Sequence, residues 1–372
     1  MPLRAIIENN NIIAPFLDDS QWSELKHRVK TENLEVVIPC CGNSAYLRTS
    51  KHGIHHFVHK VRGDCASAPE TWQHLKAKQE IVRACRDTGY DASTEVEGDG
   101  WRADVLAVKG NVKIAFEVQW SSQTWDVTQE RQQRYKDAGI RCCWLFKAPP
   151  EGYRASRDVP LFKLEVVEDA CTIVFNPQSY YDWQEEEHQT IELSNFVKSL
   201  LTGKIRFCEH ITANPQQNIE IQFINCPCWK CGALYDVYRV MSTFESNCGQ
   251  SLLYQMYMYN PDSDLNFAFH PEIQQAVRQH VSANKRYELA KSTKYYRKEA
   301  TVSLDAFQCP HCDALLGHKY LMETYNSDKS NNTDIISIPI QFKNPPKILE
   351  EDEDFGSLEG HWCFPENGEF CC

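Results

Sequence analysis

Two carboxylates and one amide side chain are spaced along the sequence so that they could together hold a metal ion. Asp104 lies in the segment WRADV, and Glu117 and Gln119 lie in FEVQWS. Because side chains alternate along a strand, Glu117 and Gln119 share one face, and Asp104 shares a face with Arg102. Buried carboxylates are unfavourable unless they are paired or bind metal, and their oxygens suit Mg²⁺ or Mn²⁺. These residues predict a metal site that acts on a phosphate, with Arg102 as the phosphate-binding cation.

A β-hairpin must bring the two carboxylates together. The turn KGN at 109–111 separates two alternating apolar segments, which is typical of a hairpin. Folding that hairpin can place Asp104 near Glu117 on one polar face. The segment IRCCWLF at 140–146 predicts a further strand, parallel to the second hairpin strand. A half-exposed sheet, on which both carboxylates simply face solvent, is the alternative.

Two helices are expected on either side of the hairpin. The first follows Pro69 in APETWQHLKAKQEIVRACRDTG and carries a partial apolar stripe. The second covers 121–139, with Ser121 or Ser122 as its N-cap. The predicted order from 69 to 147 is therefore helix, strand, strand, helix, strand.

The order of these motifs is similar to that of a known family. HHFVHK, RADV, FEVQWS and ERQQRY followed by GIRCCWLF occur in this order. On these motifs, residues 1–147 resemble the competence protein CoiA-like nucleases, which belong to the restriction-endonuclease-like PD-(D/E)xK superfamily. In that superfamily a Lys usually stands where this chain has Gln119. The resemblance implies an α/β fold, namely a restriction-endonuclease-like core with a mixed sheet.

The resemblance also implies that the helix before the hairpin contributes to the site. Glu70, His74 and Lys78 are spaced i, i+4, i+8 and so share one helix face. The resemblance directs this face towards the active site, where Lys78 would supply the ammonium group that Gln119 lacks. A solvated helix face is the alternative for His74 and Lys78.

Two residues of the second helix complete the predicted catalytic set. Arg131 and Tyr135 lie one turn apart and resemble the position at which related nucleases place a Gln-x3-Tyr pair against the metal site. The resemblance thus places this helix against the metal site.

The N-terminal motif HHFVHK is expected to be structural rather than catalytic. His56 and His59 could bind a metal together with nearby cysteines, namely Cys40, Cys41 and Cys65. The adjacent cysteines of PCCG lack the C-x2-C spacing of zinc turns, which disfavours an N-terminal zinc site.

Two C-x2-C pairs predict a structural zinc site in the second half of the chain. Cys228 and Cys231 form one pair, and Cys309 and Cys312 form the other. Such turns present thiolates to tetrahedral Zn²⁺, and four cysteines leave no open position for catalysis. Cys226 is a rival first ligand, and two reduced turns without metal are the alternative.

A basic segment lies between the two cysteine pairs. Residues 278–298 hold seven Lys/Arg and one Glu, interleaved with tyrosines. Cations for phosphates and rings for base stacking predict a DNA-binding surface. An ordinary solvated helix face is the alternative. The candidate DNA-binding residues are Lys291, Lys294, Tyr295, Tyr296, Arg297 and Lys298.

Composition narrows the class of protein. The 372 residues are 42% hydrophobic and 24% charged, as in ordinary globular proteins. No apolar run reaches the roughly 18 residues that span a bilayer, and the first residues lack a signal peptide. A cytoplasmic protein without membrane contact is predicted, in which the 17 cysteines indicate metal rather than disulfides. The net charge of −12 comes from the second part of the chain, so it does not exclude DNA binding by the first.

The motifs divide the chain into five predicted parts. They are a small β-rich unit (1–68), a nuclease core (69–150), a mixed connecting region (151–225), a zinc-ribbon-like module with the basic insertion (226–343) and an acidic tail (344–372).

The predicted function is Mg²⁺- or Mn²⁺-dependent hydrolysis of DNA phosphodiester bonds, supported by a structural Zn²⁺. Competence-type DNA processing and genome defence against phage both fit, with other DNA-processing or defence proteins as further partners. The alternative is an inactive DNA-binding or adaptor protein on a nuclease fold. Gln119 in place of Lys and the acidic net charge favour that alternative.

Overall fold

The computed structural model separates into two compact units, Met1–Glu209 with Glu359–Cys372, and His210–Leu358. It describes residues 2–61, 63, 65, 70–153, 155–174, 190–209, 212–241, 243–245, 247, 251–253, 267–297, 302–317, 320, 323, 333–346 and 360–364. Among these residues, no helix is long and apolar enough to cross a membrane.

The first unit opens with two small antiparallel sheets around one helix. The elements are β1 (Arg4–Ile7), β2 (Asn10–Ile13), α1 (Asp19–Thr31), β3 (Val36–Val37), β4 (Ala45–Thr49) and β5 (His55–His59). The first sheet has the order β2-β1-β3, and β4 pairs with β5. Asp18 and Gln21 form a capping box that fixes the start of α1. Trp22 of α1 and Phe57 of β5 are buried in a shared apolar cluster.

A seven-stranded mixed sheet forms the centre of the first unit. Its elements follow one another as α2 (Trp72–Asp87), β6 (Asp91–Gly98), β7 (Trp101–Lys109), β8 (Val112–Gln119), α3 (Trp125–Asp137), β9 (Arg141–Phe146), β10 (Leu161–Val167), β11 (Ala170–Val174), β12 (Thr190–Glu192) and α4 (Leu193–Leu201). The strand order is β12-β11-β10-β9-β8-β7-β6. The pairs β8–β9 and β9–β10 are parallel and the others are antiparallel. The predicted mixed α/β class is confirmed.

The predicted hairpin and the strand that follows it are present. Strands β7 and β8 pair antiparallel around Gly110, whose φ of 58° suits a tight turn. Strand β9 is parallel to β8, as α3 crosses between them. The sheet does not end near residue 150, because β10, β11 and β12 extend it.

Two local expectations were wrong. Strand β6 precedes the hairpin, but DASTEVEG was not predicted as a strand because its inward residues are Ala, Thr and Glu rather than large apolar groups. Helix α3 is capped by Thr124, whose hydroxyl accepts from Val127 N, and not by Ser121 or Ser122. The backbone at Thr124 is extended, with φ −75° and ψ 160°, so the first helical residue is Trp125.

Both faces of the central sheet are covered. Phe116 and Val118 of β8 pack on one face in a core that includes residues of α2 and α4. On the opposite face, Tyr135 of α3 packs with Trp144 of β9. Glu117 lies on that second face and is only 3% exposed. The polar face of β8 is therefore enclosed rather than wet, which excludes the solvated alternative for Glu117.

The second unit is built mostly of antiparallel strands. It contains β14 (Gln216–Pro227), β15 (Leu234–Val240), β16 (Thr243–Glu245), β17 (Ser251–Leu253), α5 (Pro271–Asn284), β18 (Lys291–Arg297), β19 (Val302–Gln308) and β20 (Thr333–Gln341). Its sheets are β15-β14-β20, β16-β17 and β18-β19.

Two short strands close the first unit. Strand β13 (Arg206–Cys208) follows α4, and strand β21 (His361–Cys363) comes from the end of the chain. They pair antiparallel with each other. Part of the segment predicted as an acidic tail therefore belongs to the first unit.

Candidate active site

Asp104 lies where strands β7 and β8 separate. Their ladder ends at the Val105–Phe116 pair, one residue before Asp104 would face Glu117. In place of the next backbone pair, Val118 N donates a hydrogen bond to Asp104 Oδ2 at 2.9 Å. The side chain thus takes over a ladder hydrogen bond, which holds the carboxylate at the end of the hairpin.

Helix α2 and the residue before its N-cap bring an imidazole and a second carboxylate to Asp104. His74 Nε2 lies 3.3 Å from Asp104 Oδ2 and 4.0 Å from Glu70 Oε1. One ligand atom from each of these three residues falls within 4.8 Å of the others, so together they could hold a metal ion. The expected single helix face holds only for His74 and Lys78, because α2 begins at Trp72 after the N-cap Thr71. Glu70 reaches both side chains from the segment before the helix.

Lys78 is enclosed by carboxylates in the interior. Its side chain has no solvent exposure, and its Nζ lies 2.9 Å from Glu70 Oε1 and 3.6 Å from Asp104 Oδ1. It also forms an ion pair with Glu95. Burial alone would lower the pKa of Lys78, but these carboxylates outweigh it and raise the pKa. Lys78 therefore remains charged and cross-links helix α2 to strands β6 and β7.

Glu95 of β6 belongs to this site, although the sequence did not point to it. It is buried and lies between the Thr94–Val105 and Val96–Ala103 pairs, opposite Asp104. Its φ of 49° is unusual for a residue other than glycine. Such backbone conformations persist when the surroundings fix them. Here the Lys78 ion pair and two 3.3 Å contacts from Leu3 N do so.

Helix α3 covers Glu117, the second carboxylate of the hairpin. Arg131 Nη2 donates to Glu117 Oε2 at 2.6 Å, and the Tyr135 hydroxyl makes a short hydrogen bond to Glu117 Oε1. The same hydroxyl lies 2.6 Å from the Arg102 carbonyl oxygen, and the Arg131 guanidinium lies over the Trp144 ring. Both helix residues that the resemblance assigned therefore contact Glu117.

The pKa values of Asp104 and Glu117, the two candidate metal ligands, are shifted in opposite directions. Burial and the negative charge of Asp104 raise the pKa of Glu117 to about 7, although Arg131 opposes the shift. Burial would also raise the pKa of Asp104, but His74 and Lys78 hold it well below its usual range. At neutral pH Asp104 is thus fully ionised, whereas Glu117 stands near its titration midpoint.

These contacts define the carboxylate site, in which four carboxylates pair with Lys78 and Arg131 within the described part of the chain. Burial would lower the pKa of His74, but Asp104 outweighs it and raises the pKa, so a protonated imidazole adds a third positive charge. Acidic side chains therefore outnumber the basic ones at this site among the described residues. The site comprises Glu70, His74, Lys78, Glu95, Asp104, Glu117 and Arg131.

Gln119 lies at the edge of the carboxylate site. Its amide nitrogen donates to the Ser121 backbone oxygen at 2.9 Å, and its Oε1 lies 3.4 Å from Arg131 Nη1. Arg131 Nη1 also donates to Gln123 Oε1 at 2.8 Å. The amide is half-buried and faces the same guanidinium as Glu117.

An open cavity of about 390 Å³ adjoins Tyr135 and Arg131. Arg102, Arg131 and Arg134 all line it, together with Trp101. Arg102 lies 3.5 Å from Glu97 and is partly exposed. Guanidinium groups bind phosphate oxygens with fixed geometry, so this arginine-lined cavity can receive a phosphate-bearing ligand beside Glu117.

The family comparison agrees with this geometry. Residues 70–224 match the family model of the competence protein CoiA, nuclease-like domain. This region, which is less than half of the chain, is similar to that nuclease-like domain. The match confirms the predicted resemblance, and it implies an interaction with nucleic acid. It begins at Glu70 rather than at the N-terminus and extends past residue 147, where the predicted resemblance ended. No curated protein matches the chain.

Four cysteines of the second unit form the cysteine cluster. Cys228 and Cys312 have their Sγ atoms 3.6 Å apart, and Cys231 and Cys309 have theirs 3.7 Å apart. Sulfurs around a tetrahedral zinc ion stand about 3.8 Å apart, given Zn–S bonds of about 2.3 Å. The predicted ligand set could therefore hold zinc. Cys226 is buried outside it, which removes it as a rival ligand among the described residues.

The first cysteine turn favours an ionised sulfur at Cys228, whereas at Cys312 the Ala314 N–H would lower the pKa but burial and the neighbouring thiols outweigh it and raise the pKa to about 12. Lys230 N points at Cys228 Sγ from 3.4 Å, and the Cys228 N–H donates to the Ala233 oxygen, closing a tight turn. Backbone N–H groups of Cys231 and Lys230 lower the pKa of Cys228 to about 6. A thiolate is the form that binds metal.

The N-terminal cysteines are also gathered in space. Cys40 Sγ and Cys65 Sγ lie 3.7 Å apart, and Cys41 Sγ lies 3.3 Å from His59 Nε2. The three thiols fall within one possible ligand set. The adjacent spacing in PCCG, which disfavoured a metal site, is therefore offset by a third thiol and an imidazole from other segments.

The basic segment covers the end of helix α5 and strand β18, and the candidate DNA-binding residues that the structure describes lie on the strand. Lys291, Lys294, Tyr295, Tyr296 and Arg297 lie on β18, while Lys298 lies outside the described residues. Since strand side chains alternate, Lys294 and Tyr296 share one face, and Lys291 and Tyr295 share the other. Lys291 Nζ binds Asp313 Oδ1 at 2.8 Å. The structure thus divides the predicted DNA-binding residues between two faces.

Proposed function

We propose that the chain is a divalent-metal-dependent nuclease that hydrolyses DNA phosphodiester bonds on a restriction-endonuclease-like core. The convergence of Glu70, His74 and Asp104 as a possible metal-ligand set, next to the buried Glu117, carries this proposal. Buried like charges are unfavourable unless a counter-ion joins them. Neighbouring oxygen ligands and one imidazole suit a divalent cation such as Mn²⁺ or Mg²⁺.

The ligand roles follow from the contacts within the site. Asp104 and Glu117 would hold the ion, with His74 and Glu70 beside Asp104 and the Val118 carbonyl as a further oxygen. A bound divalent ion would stabilise the charge that develops on the scissile phosphate. Arg131 and Tyr135 hold the Glu117 carboxylate in one orientation. The His74 imidazole must be neutral when it binds metal.

Lys78 and Gln119 would divide the task that one Lys performs in the superfamily. Lys78 is fully buried among three carboxylates, so its ammonium group positions Glu70 and Asp104. Gln119 is only half-buried and lies at the edge of the site, where its amide could orient the attacking water. Replacing Gln119 with Lys should therefore leave activity in place.

The arginine-lined cavity would receive the DNA backbone. Arg102 and Arg134 line this cavity together with Arg131 and Tyr135, which both contact Glu117, so they could bind phosphates on either side of the scissile bond. The basic strand β18, in the second unit, would provide a separate DNA contact. The five predicted parts, a zinc-ribbon-like module among them, and a role in competence-type DNA processing or phage defence fit this activity.

A cleavage assay tests the proposal directly. Purified protein is incubated with single-stranded, linear and circular DNA in Mg²⁺, Mn²⁺ or EDTA. Cleavage should require the metal. Asp104→Asn, which keeps an acceptor for Val118 N, should lower the rate more than about a hundredfold, since even outer partners of metal ligands contribute 10–100-fold. Asp91→Asn, at an exposed position of β6, is the matched control.

A non-enzymatic DNA-binding protein is the second candidate. The observation that favours it is the engagement of both Glu117 oxygens by Arg131 and Tyr135, which compete with a metal ion. Under this alternative no cleavage occurs in any metal, and DNA binding is equal in Mg²⁺ and EDTA. Equal cleavage by the parent and by Asp104→Asn would instead contradict the assignment of the site.

A further inference from the structure

A third group of metal-binding side chains lies in the first unit, away from the carboxylate site. Cys208 is the last residue of β13, and His361 and Cys363 begin and end β21. Their sulfur and nitrogen atoms all lie within 4.8 Å of one another. Neither the sequence motifs nor the family match point to these residues.

The pairing of the two strands explains the cluster. Cys208 stands directly opposite His361 in the antiparallel β13–β21 ladder. Directly opposed residues project to the same side, with Cβ atoms about 5 Å apart. Cys363 follows His361 by two positions and therefore also projects to that side. Three ligands thus share one face of a ladder only three residues long.

The opposite face of the ladder is fixed to the core. Trp362 packs against Phe207 and Phe162, with ring centroids 5.4 Å away in both cases. Gly360 allows the close approach, because a Cβ atom there would overlap the Phe207 ring and lie 3.2 Å from the Cys208 carbonyl oxygen. The ligand face therefore has little freedom to rotate away.

The ligand side chains are also buried. Cys208, His361 and Cys363 are 7%, 6% and 0% exposed. Buried cysteines often serve only as small apolar groups, but two of them converging on an imidazole form a recognised zinc ligand set. Thiolates and imidazole favour Zn²⁺ over Mg²⁺ or Ca²⁺.

We propose that Cys208, His361 and Cys363 bind a structural Zn²⁺ ion that fastens the end of the chain to the first unit. A water molecule or one further side chain would complete four-fold coordination. A two-stranded ladder of this length is marginal by itself, whereas a metal bound by both strands holds them together. The ion would also close the chain around residues 210–358, which lie between the two strands in sequence.

Metal analysis of matched variants tests the proposal. The full chain is expressed with added zinc and purified under reducing conditions without chelator. Cys208→Ser/Cys363→Ser should contain about one zinc ion per chain fewer than the parent. Cys85→Ala, which removes another buried thiol of this unit, should keep the parent content. Adding Cys228→Ser/Cys312→Ser should remove a further ion, so that the two losses add.

A second measurement tests the proposal even if the Cys208→Ser/Cys363→Ser variant does not fold. His361→Cys preserves a ligand, so it should keep the parent metal content while changing the visible spectrum of the Co²⁺-loaded protein. Only a metal bound at that residue can sense the change from nitrogen to sulfur. An unchanged spectrum, a double variant with the parent zinc content, or a Cys208–Cys363 disulfide in freshly reduced and purified protein would overturn the proposal.

Discussion

The carboxylate site of the first unit and the cysteine cluster of the second gather charge in different ways. The carboxylate site draws on one helix, three neighbouring strands and a second helix, and it includes the cations Lys78 and Arg131. The cysteine cluster draws on two tight turns that each supply two thiols. Its thiolates repel one another once they ionise, and a bound zinc ion would offset that repulsion.

This contrast teaches which site can exist without metal. Buried ion pairs already compensate part of the negative charge around Asp104. The chain can therefore fold with the carboxylate site formed, and metal would add function rather than structure. Structural zinc sites in small modules instead supply folding free energy outright. Removing metal should thus disable the first unit but destabilise the second.

The largest expected effect is the loss of the cysteine cluster. Cys228→Ser/Cys312→Ser should release about one zinc ion and expose β14 and β15 to hydrogen exchange, because zinc binding contributes about 10–16 kcal/mol in comparable sites. Hydrogen exchange in β7 to β9 should stay unchanged. Cys226→Ser, the buried neighbour outside the cluster, should keep its zinc. Protection of β14 in the zinc-free variant would contradict this dependence.

Removal of Lys78 should have the next largest effect. Lys78→Met leaves Glu70 and Glu95 without their buried cation, which should lower the free energy of unfolding by about 3–5 kcal/mol. Urea unfolding in EDTA measures it. Lys76→Met removes a partly exposed partner of Glu80 on the same helix and should cost less than about 1 kcal/mol.

A double variant sharpens the interpretation of Lys78. Lys78→Met/Glu95→Gln removes a carboxylate together with the ammonium group, so it should recover part of the lost stability. If Lys78→Met were as stable as Lys76→Met, the ammonium group would have no structural role, and its task would be confined to catalysis.

The sequence predicted the hairpin, both of its carboxylates and the helix face that meets them, because alternation and i, i+4 spacing act locally. It missed Glu95, since nothing in DASTEVEG distinguishes a buried carboxylate from an exposed one. That residue turns inward only because β6 pairs with β7 and Lys78 attracts it. Cys208 and His361 were missed for a related reason, as their pairing joins the two ends of a long segment.

The two groups of cysteines show the same limit of sequence-based prediction. One group was predicted because its spacing is local, and the other was disfavoured because its members meet only in the folded chain. The C-x2-C pairs were recognisable because each turn is local, although the two turns lie far apart in the chain. Cys40 and Cys41 gain a third thiol and His59 only through the folded β4–β5 hairpin and the segment after it. The spacing of cysteines in the sequence identifies individual turns, whereas the tertiary structure determines which of these turns come together.

The pH dependence of stability tests the charge excess of the carboxylate site. The pKa of Glu117 is about 7 in the folded chain against 4.5 for an ordinary Glu, so the folded state holds more protons between these values. In EDTA, the free energy of unfolding should therefore fall as pH rises through this window and level off above it. Glu117→Gln lacks this titration, so its stability relative to the parent should rise by up to roughly 3 kcal/mol.

Glu130→Gln provides the control for that measurement. Glu130 lies on the same helix, is largely exposed and pairs only loosely with Arg134 at 3.9 Å. Its stability relative to the parent should stay constant over the window. A constant difference for Glu117→Gln as well would show that Arg131 fully compensates Glu117, and the site would then lack the charge excess that attracts a metal ion.

The smallest expected effect concerns DNA binding by β18 in the second unit. If the face that carries Lys294 and Tyr296 contacts DNA, Lys294→Gln should lower the salt slope of binding by about one unit, because one fewer counter-ion is released. Lys291→Gln is the matched control, since Lys291 lies on the other face and pairs with Asp313. Fluorescence anisotropy across a salt series measures both.

Substitution of Tyr296 distinguishes base stacking from charge interactions as contributions to DNA binding. Its side chain is 59% exposed, so Tyr296→Ala should weaken single-stranded binding by about 1 kcal/mol or more while leaving duplex binding nearly unchanged. Lys294 stands opposite Asp305 in the β18–β19 hairpin, and that carboxylate could already satisfy it. In that case neither the slope nor the affinity changes in any variant. The strand would then be ordinary surface, and the arginine-lined cavity of the first unit would be the DNA-facing region that the structure supports.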